Sequence, residues 1–249
     1  WCREEGVAVD YVETNSSWFT SPERAEGTLR ALREAGLRTL LVSMSPFQNE
    51  HIPWRKVAGV LDACRAVGMG VFPWTEELGA DVRALEPDRT HTLEEYEERF
   101  GPGYLRSIPS RYWVSPRGRA IATFRQFGPE LSADEAAEAG GASCPELFDT
   151  SHFHVDLYGN YVPGICSGLA VEVDDLAEPL DPAKYRFLTA LMDGGIGRLL
   201  EIARAEGYTP ERSFPGKCDL CYDIRRFLVT DRGIAAPDLQ PAELYERTG

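Results

Sequence analysis

The sequence contains no run approaching the roughly 20 apolar residues that a membrane-spanning helix requires. Its first residues do not read as a basic stretch followed by an apolar one, the pattern of a secretory leader. Positive charge is in deficit: 26 Lys and Arg stand against 40 Asp and Glu, a formal net charge of −14. Non-specific attachment to nucleic acid or to anionic lipid depends on clustered Lys and Arg, so neither is an expected partner. Cysteine is sparse, with six in 249 residues. That is too few for a disulfide scaffold, and a cytoplasmic location is the default expectation. An opening Met is missing as well. The chain starts at Trp1-Cys2, and we expect it to be cut from something longer.

What is present is enough to fold. With 43% hydrophobic and 10% aromatic residues the chain can bury a core rather than remain disordered. Its length suits one large domain, or a domain with a small module.

The first third alternates strand and helix signals. Val7 to Val12 is a short apolar run that ends at Glu13-Thr14-Asn15. Ser21-Pro22-Glu23 then predicts a helix start, with Ser as N-cap, Pro at the first helical position and an acid in the first turn. Ala25, Leu29 and Leu32 repeat at helical spacing, and Gly36 closes the element. Thr39 to Val42 predicts a buried strand. Val57, Leu61, Cys64 and Val67 form an apolar helix stripe that ends at Gly68, and MGVFPW (69–74) begins a third strand. Strands recurring at roughly thirty residues with a helix between are the period of βαβ units. We therefore expect a parallel sheet with right-handed crossovers and both faces covered. Ligands of such sheets sit at the carboxyl ends of the strands. Glu13-Thr14-Asn15, Ser43 with Ser45, and Trp74-Thr75-Glu76 occupy those ends. Three units are too few to close a barrel, so the sheet is either open or incomplete.

Further along, Thr92-Leu93-Glu94-Glu95 is a capping box. Arg111 to Arg125 reads as strand, turn at Pro116 to Gly118, then strand. Leu131 to Gly141 is Ala- and Glu-rich and reads as a solvated helix or loop. His152 to Val162 alternates like a half-exposed hairpin turning at Gly159-Asn160. Asp181-Pro182 caps a helix through Met192, which Gly194-Gly195 breaks and Ile196 to Glu206 resumes. The segment after KCDLCYDIRRFL is a polar tail expected to fray.

Four cysteines fall late, in the pattern C-x21-C-x51-C-x2-C: Cys144, Cys166, Cys218 and Cys221. A CxxC alone serves zinc, iron–sulfur and thiol redox sites. Thiolates are soft ligands that select zinc or iron–sulfur clusters, and four complete either site. The plainer reading is a set of buried thiols, since cysteine packs as a small hydrophobe. It applies most to Cys144 within the set, and Cys64 in its apolar stripe is read as core.

YVETN, LLVSMSPFQNEHIP, GMGVFPW and the GRA of Gly118 to Ala120 resemble the middle of the radical S-adenosylmethionine (SAM) partial barrel. DLYGNYVPGIC and the terminal KCDLC resemble the auxiliary-cluster extension of the SPASM or shorter twitch type. The resemblance covers nearly the whole chain and rests on the order of the motifs more than on any one. It implies an α/β fold, an incomplete (β/α)6 partial barrel over residues 1–125, followed by a small α+β auxiliary-cluster module over 126–249. It implies SAM contacts at Thr14, Asn15, Ser43 and Ser45, for which ordinary loop capping is the alternative. It implies that Cys144, Cys166, Cys218 and Cys221 ligate one auxiliary [4Fe–4S] cluster. SPASM domains usually carry more cysteines than this chain offers, which favours a single auxiliary cluster.

The CxxxCxxC that binds the SAM-cleaving cluster is absent from the sequence, as is a Gly-Gly-acid second-strand motif. Both, with a second [4Fe–4S] cluster, are expected before residue 1. The resemblance implies that the full enzyme cleaves SAM to a 5′-deoxyadenosyl radical that abstracts a substrate hydrogen, while this portion alone is inactive. It implies an electron donor such as ferredoxin or flavodoxin. The substrate is unknown, and relatives of this kind often modify peptides. The competing class is a non-catalytic tetrathiolate zinc protein, its metal purely structural.

Other candidates stand outside that scheme. His152, His154 and Asp156 alternate, so a strand would put them on one face for metal binding or acid–base work, although such a face is commonly just solvated. Glu50-His51 follows a strand tip and could line a pocket. Arg111, Arg117, Arg119 and Arg125 could clamp an anion, although dispersed arginines usually form surface ion pairs.

Overall fold

The computed structural model describes residues 2–112, 114 and 118–246. The chain is mixed α/β and divides into two compact units, Trp1–Tyr112 and Trp113–Gly249. No closed barrel is formed among the described residues.

The first unit is built on three parallel strands, β1 (Val12–Thr14), β2 (Thr39–Ser43) and β3 (Gly70–Trp74), in the order β1-β2-β3. Helix α1 (Pro22–Glu34) starts where the sequence predicts. Ser21 Oγ accepts from the backbone N–H of Arg24 at 3.4 Å, and Pro22 opens the first turn. A short α2 (Pro46–Asn49) follows β2, and α3 (Trp54–Val67) returns the chain to β3. Gly68 ends α3 in the left-handed conformation, with φ 68°, which a glycine adopts without penalty. Leu40 and Val42 of β2 pack with Ala25 and Leu29 of α1 and with Val57, Val60 and Cys64 of α3. Cys64 is thus core, and burial raises its thiol pKa to about 11.

Two expectations fail in this unit. The apolar run from Val7 forms ladder only from Val12 onward, and Val7, Val9 and Tyr11 are exposed. The second face of the sheet is covered only in part, with Leu41 of β2 buried on it. Leu40 and Val42 face the helices, but the residues of opposite parity on β3, Phe72 and Trp74, remain 46% and 51% exposed. Tyr11, Phe72 and Trp74 form a ladder of rings on this side, with centroids 6.4 and 6.1 Å apart. β3 therefore alternates between covered and open faces rather than reading as a strand buried on both.

Beyond β3 come α4 (Glu76–Arg83), α5 (Leu93–Phe100) and α6 (Tyr104–Arg111). Thr92 and Glu95 make the reciprocal capping box at the start of α5. Tyr96 of α5 is fully buried and donates its hydroxyl to Asn49 Oδ1 at 2.7 Å.

The expected strand–turn–strand at Arg111 to Arg125 is replaced by helix. α6 runs to Arg111, and α7 (Arg119–Phe124) begins after Gly118; Pro116 and Arg117 lie outside the described residues. Tertiary packing overrides the local pattern here. Ile121 of α7 packs against Tyr222 and Tyr245, and Arg125 donates to Asp219 Oδ1 at 2.9 Å. Both contacts lie within the second compact unit.

The second unit gathers α8 (Ala133–Gly140), α9 (Arg186–Ala205), α10 (Lys217–Arg226) and α11 (Glu243–Glu246) with an antiparallel sheet. The strands β4 (Phe153–Val155), β5 (Asn160–Pro163) and β6 (Val171–Glu172) lie in that order. The Leu131 to Gly141 stretch is not solvated throughout. Ser132 and Glu135 form a capping box, and Ala133, Ala136 and Ala137 are buried in the core shared with α9 and α10. The hairpin is present, but Asn160 already belongs to β5, and the turn precedes it. Asp156 shapes that turn, accepting from the backbone N–H groups of Tyr158 and Asn160. The break expected at Gly194-Gly195 falls within α9 at Gly195, whose φ is 61°. The described part of the tail packs rather than frays, since Leu239 and Tyr245 are each 1% exposed; residues 247–249 lie outside the described residues.

Candidate metal centre

Three local features deliver the late cysteines. Cys218 and Cys221 stand one turn apart in the first half of α10, so their side chains share a helix face. Cys166 follows β5 through Gly164, whose φ of 54° turns the chain, and its N–H is held by the carbonyl of Pro163 at 3.1 Å. Cys144 is fixed by its own N–H, which donates to the carbonyl of Leu191 in α9 at 3.1 Å.

The kink in α9 is what lets these pieces approach. A Cβ on Gly195 would lie 2.4 Å from the carbonyl oxygen of Gly141 and 3.1 Å from the amide of Ser143. Gly140 is equally tight, because its Cβ would meet Ile196 at 2.7 Å and Lys217 at 3.0 Å. The end of α8, the bend of α9 and the start of α10 thereby close around one space.

That space is a small cavity, about 40 Å³, and all four cysteines line it together with Ile121, Leu191, Lys217 and Arg225. No disulfide links any of them. Among the described residues no three His, Cys, Asp or Glu side chains are grouped so as to hold a metal ion.

Two cations border the thiols. Lys217 pairs with Glu146 at 2.9 Å, and the Cys144 thiol donates to the same carboxylate oxygen at 3.2 Å. Burial alone would raise the Glu146 carboxyl. Hydrogen bonds from Lys217, from its own backbone N–H and from Cys144 outweigh that and hold it at about 2. Burial pushes the Cys144 thiol well above its ordinary value, and the bond to Glu146 adds to the shift. Burial also raises Cys221, against the opposing charge of Arg225. Arg225 is 4% exposed. It donates to the carbonyl of Cys221 at 3.2 Å, to that of Ser167 at 2.9 Å and to Tyr245 Oη at 2.8 Å. Burial acts to lower its pKa, but Tyr245, Cys221 and Cys166 more than compensate, and the guanidinium stays charged. Two cations beside the thiols can offset the thiolate charge that binding a soft metal group creates.

At the strand tips of the first unit, Thr14, Asn15 and Ser43 line an open concavity with Glu13 and Trp18. Thr14 Oγ1 accepts from the amide of Ser16 and from Trp18 Nε1, and the Asn15 carbonyl accepts from Gln48 Nε2 at 2.7 Å. Ser45 does not line the concavity. Its hydroxyl caps α2, accepting from the amide of Gln48 at 3.3 Å.

The remaining candidates are placed as follows. Asp156 is committed to the hairpin turn, whereas His152 and His154 remain exposed beside each other. His51 lies exposed just after α2. Arg111 is paired with Asp81 at 2.9 Å and Arg125 with Asp219; Arg119 begins α7, and Arg117 is outside the described residues. Sequence reasoning missed Lys217, Arg225 and Glu146. Arg225 had a usable signal, standing four residues after Cys221 and so on the same helix face. No protein-family model, curated protein or solved structure matches the chain.

Proposed function

We propose that the chain is the auxiliary-cluster portion of a radical SAM enzyme, with Cys144, Cys166, Cys218 and Cys221 as ligands of one [4Fe–4S] cluster. The observation that carries this reading is four cysteines on one cavity wall flanked by Lys217 and Arg225. Zinc and iron–sulfur share these ligands and differ in spacing: a single zinc ion needs its sulfurs roughly 3.8 Å apart, set by Zn–S bonds near 2.3 Å, whereas in a cluster each thiolate binds a different iron and the ligands stand farther apart. When bound, such a cluster supplies one-electron chemistry or a position for substrate. The chain's own part is to hold the thiolates, balance their charge through Lys217 and Arg225, and shield the group with Ile121 and Leu191.

The parallel sheet of the first unit supports the partial-barrel element of the proposal. Helices cover one face, and the aromatic face is only partly covered, with Leu41 buried but Phe72 and Trp74 exposed, as on the inner wall of a barrel that further strands would extend. Thr14, Asn15 and Ser43, at the concave strand ends, are the proposed SAM contacts. Ser45 would contribute only by shaping α2. The sequence has no CxxxCxxC, so the chain by itself is expected to form no 5′-deoxyadenosine. A cytoplasmic setting, a small electron-transfer protein as donor and a peptide as substrate belong to the same proposal. No helix is long and apolar enough to cross a membrane among the described residues.

The test is anaerobic reconstitution with iron and sulfide. About four irons and four sulfides per chain with a brown chromophore, each reduced by Cys218→Ala or Cys166→Ala, is the expected result. A colourless chain that retains one zinc would replace this reading with the structural zinc site. A chain that binds neither would leave four buried thiols.

A further inference from the structure

The hairpin carries a second constellation that the cysteine cavity does not use. His152 and His154 flank Phe153 at the start of β4, the edge strand of its sheet. Their Nε2 atoms are 3.1 Å apart, and the ring centroids lie 4.8 Å apart at an interplanar angle of 82°. Both rings are exposed. Two imidazoles that crowd their nitrogens together in open solvent are not held there by packing. At this separation the two Nε2 atoms are within hydrogen-bond reach, one as donor and the other as acceptor.

We propose that His152 and His154 are a two-histidine site for a divalent transition-metal ion, open to solvent on its remaining positions. Metal–nitrogen bonds of about 2.0–2.1 Å put two ligand nitrogens roughly 2.9 Å apart at a right angle and roughly 3.3–3.4 Å apart at a tetrahedral one. The observed 3.1 Å lies between these limits. A small rotation of each ring would turn the two Nε2 atoms from one another toward a shared ion. Binding takes a lone pair from each Nε2, and the donor ring gives up its Nε2 proton, to its own Nδ1 or to solvent. Imidazole suits copper, nickel and zinc, with copper bound tightest. The surroundings favour a cation as well: the net charge is −14, and Asp149 stands three residues before His152.

The other two histidines cannot imitate this arrangement. His91 is 3% exposed and commits its ring to Glu95 and to the carbonyl of Glu86. His51 is exposed with no second histidine adjacent in sequence. The site is independent of whatever the four cysteines hold.

The experiment uses the untagged chain on an immobilised Ni²⁺ chelate, eluted with imidazole. Retention is expected for the native sequence and for His51→Gln. Either His152→Gln or His154→Gln alone should elute at least about ten-fold earlier in imidazole concentration, because the second ligand acts at high effective concentration once the first is bound. Both variants alter exposed side chains, and unchanged far-ultraviolet circular dichroism would confirm that they fold. If the native chain is not retained, or if either single variant is held as tightly as the native chain, the proposal is wrong.

Discussion

Arg225 donates to Tyr245 Oη at 2.8 Å, and that hydroxyl passes its own hydrogen to the carbonyl of Gly168. The buried guanidinium thus joins three separate stretches at the cysteine cavity: its own helix at Cys221, the Cys166–Gly168 loop, and the C-terminal tail. Tyr245→Phe removes the bridging oxygen, leaving the Gly168 carbonyl without this donor and Arg225 with one acceptor fewer. A buried group stranded in this way costs about 1–3 kcal/mol. Urea denaturation followed in the second unit should register that loss. An unchanged midpoint would mean that the tail does not brace the loop.

The bend in α9 gives a sharper test. Gly195→Ala places a methyl group at φ 61°, 2.4 Å from the Gly141 carbonyl. Backbone strain and steric overlap together should destabilise the second unit by at least about 2 kcal/mol. Gly197→Ala, with nothing within 4 Å of its Cβ, should be neutral or slightly stabilising, as expected at an open helical position. Comparing the two by thermal denaturation separates the effect of the bend from glycine replacement in general.

Tyr96 and Asn49 form a buried pair in the first unit. The phenol donates to Asn49 Oδ1 at 2.7 Å, while Asn49 Nδ2 donates to the carbonyl of Ile52 at 3.1 Å. Tyr96→Phe should cost about 1–2 kcal/mol, and Asn49→Ala more, since it strands the phenol and the Ile52 carbonyl together. A double-mutant cycle should show coupling between the two sites. Simple additivity would mean that the hydrogen bond contributes little.

Stability of the first unit should also respond to acid through Glu95. The hydrogen bond from Arg89 holds this carboxyl down at about 2 against desolvation, with the Thr92 amide, the Arg89 charge and His91 adding to the effect. A folded pKa below the unfolded value means the contribution is complete above the ordinary glutamate range and is lost as pH falls toward 2. Glu95→Gln keeps an acceptor for the cap but removes the charge. Its deficit in thermal midpoint should therefore be largest near neutrality and shrink steadily between pH 4.5 and pH 2. A deficit that does not vary with pH would show that only the capping geometry matters.

The parts of this molecule that were legible beforehand have their causes close together in sequence. Ser21 and Thr92 each cap an amide three residues on, and Pro22 and Gly68 mark helix ends by backbone preference alone. The βα alternation of the first unit follows from apolar periodicity, and Cys218 with Cys221 share a helix face through their spacing. The errors arise where local pattern and tertiary packing disagree. Ile121 lies in a stretch that reads as strand, yet it is helical in the packed unit, against Tyr222 and Tyr245.

Sequence by itself determined that a parallel βαβ unit comes first, that the acidic chain lacks a membrane-spanning run, and that four cysteines sit late. Tertiary structure alone decided that those four line one cavity, that Lys217 and Arg225 border them, and that Phe72 and Trp74 of the first sheet stay half-exposed. Asp238 shows the reason most simply: its carboxylate accepts from the amides of Phe187 and Leu188 at 2.7 and 2.9 Å, about fifty residues earlier. Periodicity and capping rules act over three or four residues. Contacts between distant segments depend on how whole elements pack, and no local pattern encodes which aspartate will reach which helix.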